Sequence, residues 1–70
     1  MAEKWFYKLQ SEANKMIDET YEKVSYCNWQ DVTKDRVYES WAVARKDNKK
    51  FVNILVVMHK STERIDIYEL

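Results

Sequence analysis

Not one of the 70 residues is a glycine or a proline. The two together average about 12% of a typical chain, so a sequence of this length lacks both by chance roughly once in ten thousand. Every reversal of direction must therefore be built from Asn, Asp, Ser or Lys, which disfavours hairpin turns whose central residues need φ > 0. Gly and Pro have GC-rich codons, and nine lysines against three arginines lean the same way. Both features point to an AT-rich genome, such as a viral one.

A chain of 70 residues buries only about 60% of its unfolded surface and folds with a margin of a few kcal/mol. It does fold on composition: 46% of it is hydrophobic, including three Trp, five Tyr and two Phe, whereas disordered chains are poor in such residues. No repeat, linker or low-complexity tract divides it, so residues 1–70 are one domain. Twelve basic and twelve acidic groups cancel, which removes any global field steering the chain toward nucleic acid or an anionic membrane.

Hydrophobic spacing of three and four marks an N-terminal helix over about 2–23. Its apolar face is Phe6, Leu9, Ala13, Met16, Ile17, Thr20 and Val24, with Lys8/Glu12, Lys15/Glu19 and Glu19/Lys23 paired on the outer side. From Asp35 onward the period becomes two. A turn at Lys46-Asp47-Asn48-Lys49 sets Arg45 opposite Lys50 and aligns Val43, Trp41 and Val37 with Val52, Ile54 and Met58, leaving Glu39 as the sole intruder on that face. A second turn at Lys60-Ser61-Thr62-Glu63 sets Met58 opposite Ile65 and Val56 opposite Ile67. The expected fold is α+β: one helix on the apolar face of a three-stranded antiparallel meander, with strands at about 36–45, 51–59 and 64–70. The segment 24–32 is a candidate fourth strand. Val37, Tyr38, Trp41, Ala42 and Ala44 also share one helical face, so a helix over 35–46 is the alternative.

The second face of this meander is unusually apolar, with Tyr38, Phe51, Leu55, Val57 and Tyr68 left uncovered by a single helix. A protein partner is the natural cover, the simplest being a second copy. The alternative is that segment 24–33, with Trp29, folds back over it. Trp5 and Trp29 are the candidate interface anchors, since Trp41 has a core position in this register.

Cys27 is the lone cysteine and His59 the lone histidine, so neither an internal disulfide nor a multi-cysteine zinc site can be assembled in one chain. As a thiol–imidazole pair they would have to meet in space, and no glycine is present to shape an oxyanion-binding turn. P-loops, dinucleotide fingerprints, calcium loops and nucleophile elbows are unwritable without glycine or more Cys and His. No catalytic residue, metal ligand or cofactor is expected. Asp18, Glu19, Glu22 and Asp31 form a candidate acidic patch near the helix C-terminus, where negative charge opposes the macrodipole. Residues 34–70 hold eight basic and six acidic groups, and Arg45, Lys46, Lys49 and Lys50 gather at the first hairpin tip. That tip is the candidate nucleic-acid contact.

The mixed charge of Met1–Lys15 does not resemble a signal peptide, and the aliphatic run Ile54–Met58 is too short to span a bilayer. The expectation is a cytoplasmic, soluble, non-catalytic protein-binding module: an adaptor, regulator or inhibitor, homodimeric, a class that includes virus-encoded modulators of host proteins. The rival is a nucleic-acid-binding protein using the basic tip.

Overall fold

The computed structural model describes residues 4–24 and 27–70. Helix α1 (Lys4–Thr20) is followed by β1 (Tyr21–Lys23), β2 (Trp29–Val32), β3 (Arg36–Arg45), β4 (Phe51–His59) and β5 (Ile65–Glu69). All pairings are antiparallel, in the order β1-β3-β4-β5, with β2 also on β3. The chain is α+β, a helix on one face of a meander, as the periodicities require.

Both hairpins have the register that alternation dictates. Val43 faces Val52, Trp41 faces Ile54, Glu39 faces Val56 and Val37 faces Met58, while Met58 faces Ile65 and Val56 faces Ile67. The stretch 35–46 is strand, not helix, because only a strand lets β3 carry ladders on both edges. The two turns solve the missing-glycine problem identically. Their last residues take the left-handed conformation, at φ 59° for Lys49 and 56° for Glu63. In each, the third residue's side chain accepts from the main-chain N–H two positions on: Asn48 Oδ1 from Lys50 and Thr62 Oγ1 from Arg64.

The core lies between α1 and the inner sheet face. Leu9, Ala13 and Ile17 come from the helix and Tyr21 from β1; Val37, Trp41, Val43, Ile54, Val56 and Met58 come from β3 and β4. Trp5, Phe6, Val52, Ile65 and Ile67 pack against this cluster. Each fully buried Leu, Ile or Met contributes about 1.5–3 kcal/mol relative to exposure.

The helix is shorter than its periodicity suggests. It ends at Thr20 because Tyr21–Lys23 pairs with Arg45, Ala44 and Val43, and Tyr21 enters the core as a strand residue. Met16, Thr20 and Val24, expected on the buried face, are exposed. The outer side does not form the expected i, i+4 pairs: Lys8 reaches Glu63 at 3.0 Å, and Lys23, now on β1, meets Asp18 at 3.3 Å.

Of the candidate fourth strand at 24–32, the strand among the described residues is Trp29–Val32, and a further short strand, Tyr21–Lys23, lies where the periodicity placed the helix. Along the β3 edge, β1 runs to Lys23 opposite Val43 and β2 begins at Trp29 opposite Ser40. Six positions of the edge chain are thus taken up against three of β3, a register offset of three residues. The described part of segment 24–33 does not fold over the outer face: Trp29–Val32 lies in the sheet, paired with β3. The helix start at residue 2 and positions 25 and 26 of the candidate strand lie outside the described residues.

Candidate functional site

Among the described residues, the sequence-predicted candidates fall in distinct regions. The first is the β3–β4 tip. Arg45 pairs with Asp47 at 2.9 Å and Glu69 at 3.3 Å, so these carboxylates hold its guanidinium protonated beyond the usual arginine range. Lys49 pairs with Glu22 at 2.7 Å, and that ammonium holds the Glu22 carboxyl below its ordinary value. Lys46 donates from its ammonium to the Asp18 carbonyl and from its main-chain N–H to the Thr20 carbonyl at 3.2 Å. The last turn of α1 holds no basic residue, so Lys46 provides the cation that the helix C-terminus needs. The candidate acidic patch and the candidate basic tip are therefore one structure. Asp18 and Glu22 are matched by Lys23 and Lys49, whereas Asp31 stands apart on β2, opposite Tyr38.

The second region is the helix-free sheet face. Cross-strand rows place Trp29 with Ser40, Ser40 with Leu55 and Leu55 with Tyr68. Exposure separates the candidate interface residues: Phe51 is 73% exposed, Trp29 and Tyr68 51% each, and Leu70 74%. Tyr38 and Leu55 are half-buried, and Val57 is buried. Trp5 is not on this face. It packs on the helix side, edge-on to Phe6 at 6.3 Å with Lys60 Nζ 6.0 Å above its ring. Beside Phe51 an apolar hollow of about 260 Å³ is lined by Val24, Ala42 and Asn53 among others.

The third region is a cleft of about 410 Å³ between α1 and the edge chain, lined by Gln10, Cys27, Asn28, Trp29, Gln30, Glu39 and Trp41. Its floor is Glu39, the intruder of the apolar pattern and only 2% exposed. Trp41 Nε1 donates to Oε1 at 3.1 Å; Gln30 and Gln10 donate from Nε2 to Oε2 at 2.7 and 3.2 Å. Sequence reasoning missed this site. The alternation break at Glu39 was its one visible signal, since the glutamine partners are nine and 29 positions away.

Cys27 and His59 are not brought together. Cys27 lies on the β1–β2 edge, its Sγ 2.9 Å from the Trp29 carbonyl oxygen, and burial pushes its thiol up, away from the nucleophilic thiolate. His59 Nε2 is 3.0 Å from Asp66 Oδ2, whose other oxygen accepts from Arg64 Nε at 2.9 Å. The Arg64 guanidinium, aided by the His59 hydrogen bond, holds the Asp66 carboxyl below its usual range. Near this pair Thr33, Arg36, Tyr38 and Thr62 border a polar hollow of about 460 Å³. Among the described residues no His, Cys, Asp and Glu group is arranged to hold a metal ion, and no helix is long and apolar enough to cross a membrane.

Compared with protein-family models, with curated proteins and with solved structures, the chain matches none.

Proposed function

We propose that the chain is a non-catalytic protein-binding module that associates through the helix-free face of its sheet, with a second copy of itself as the first partner. One observation supports the reading above the rest: Trp29, Phe51, Tyr68 and Leu70 are each at least half exposed on a face that no other element covers among the described residues. At about 200 Å² per aromatic side chain, the three rings alone offer roughly 350 Å² to water, the size of the largest apolar patches on ordinary monomers. Trp and Tyr are the residues that anchor interfaces.

A second copy suits this surface on two grounds. Two-fold pairing makes one patch serve both partners, and with Tyr38, Ala42 and Leu55 between the anchors the area approaches the roughly 1,200 Å² that a stable interface requires. The net charge of zero lets two copies meet without net repulsion. The Phe51 ring and the hollow beside it provide a projection and a recess on the same patch. A cytoplasmic setting suits the single free thiol, and a virus-encoded modulator of a host protein is one member of this class. The hairpin tip gives less support to nucleic-acid binding, because Arg45, Lys46 and Lys49 are already engaged within the chain.

Sedimentation of the wild type beside Phe51→Lys and Tyr68→Lys tests the reading. A wild-type dimer at tens of micromolar that both variants convert to monomer is the expected result. A monomeric wild type overturns it.

A further inference from the structure

Glu39 presents a problem that the sheet-face reading does not address. Carboxylates are almost never fully buried without a cation, yet no ion pair among the described residues reaches Glu39. Its partners are the neutral donors Trp41, Gln30 and Gln10. A neutral acceptor would tie these three side chains together without the cost of burying a charge.

The hydrogen bonds define what the cleft still lacks. A carboxylate offers about four lone-pair directions, and three are taken. Both glutamine amides must turn their NH₂ groups toward Glu39, which leaves each carbonyl oxygen as an acceptor for something else. The Trp41 N–H is spent, and the Cys27 thiol is directed to the Trp29 carbonyl. Each glutamine amide keeps one further N–H, but its carbonyl oxygen, the remaining lone pair of Glu39 and one negative charge are there to receive donors. That is the complement of a planar, many-donor cation. A cation already favours the neighbourhood: Lys23 Nζ stands 5.8 Å from the Trp41 ring centroid.

We infer that this cleft binds a guanidinium group, with Glu39 as counter-charge, the amide oxygens of Gln10 and Gln30 as acceptors and Trp41 as a positioning residue. Glu39 and Trp41 lie on the helix side of the sheet, and Trp29 borders both this cleft and the opposite face.

The three indole N–H groups give separate signals in a proton–nitrogen correlation spectrum, assignable by single Trp→Phe variants. Methylguanidinium and its neutral isostere methylurea are titrated in parallel. The expected result is a saturable shift of the Trp41 indole with methylguanidinium that methylurea does not reproduce. Glu39→Gln should weaken it by about tenfold or more, and Lys23→Met, which removes the internal competitor, should strengthen it. An unmoved Trp41 signal, equal response to methylurea, or undiminished binding by folded Glu39→Gln overturns the inference. If Glu39→Gln does not fold, the methylurea comparison on the wild type decides alone. Agmatine titrated beside capped Ala-Arg-Ala then distinguishes a free guanidino compound from an arginine side chain as the source.

Discussion

The Tyr21 hydroxyl donates to Glu69 Oε2 at 3.0 Å, joining β1 at one edge of the sheet to β5 at the other. Glu69 also receives Arg45 from β3, one of the two strands between them. Burial, then the hydrogen bond to Glu69, raises the Tyr21 phenol above its ordinary value. A folded pKa above the unfolded one means the folded chain binds more protons, so this contribution is complete below about pH 10 and fades as pH rises through the folded value. Tyr21→Phe should cost about 1 kcal/mol at neutral pH and flatten the alkaline decline. Urea unfolding at neutral and alkaline pH checks both; an equally steep decline in the variant contradicts the assignment.

The two left-handed turn residues carry avoidable strain. A side chain in that conformation costs roughly 1–2 kcal/mol, partly offset in glycine by its greater unfolded-state freedom. Lys49→Gly and Glu63→Gly should each stabilise by about 0.5–1 kcal/mol, a rise of a few degrees in melting temperature. The ion pairs they sacrifice, Lys49 with Glu22 and Lys8 with Glu63, are exposed and weak. Thermal melts of the single and double variants would show additive gains.

Glu39→Ala should be among the more damaging single changes. It strands the donors of Gln10, Gln30 and Trp41 at once and removes the side-chain tie between β2 and β3. The expected loss is about 3 kcal/mol or more, a large part of the margin of so small a domain. Glu39→Gln keeps one acceptor oxygen and should lose less. Denaturant midpoints rank the two, and equal midpoints would mean that the hydrogen bonds carry little.

Phe51 and Tyr68 give the opposite pattern. Because more than half of each side chain is open to water, replacement by Ser should change the stability of the monomer by no more than about 0.5 kcal/mol while abolishing self-association. Unfolding measured at dilution and sedimentation at high concentration separate the two effects.

Much of the fold was legible in the sequence because its signals over-determine one another. A four-residue turn fixes the Val43–Val52 pairing, and a slip of one residue would turn Trp41 and Ile54 to water. The helix end was harder. Tyr21 lies four residues after Ile17, so it continues the helical stripe, yet it is buried as the first residue of a three-residue strand. Charge patterning recorded acids near residue 20 and bases near residue 47 but not their meeting, since Lys46 and Asp18 are 28 positions apart. The Glu39 cleft was hidden because a glutamine that will turn inward looks like any surface glutamine.

The split edge has a further consequence for assembly. An incoming strand finds only short, mutually offset segments on the β1–β2 side, three and four residues long, whereas β5 presents one uninterrupted edge from Ile65 to Glu69. Sheet extension by backbone pairing is therefore one-sided. Two copies joining through β5 would each use the longest uninterrupted edge among the described residues, so such growth stops at a pair instead of propagating into a fibre.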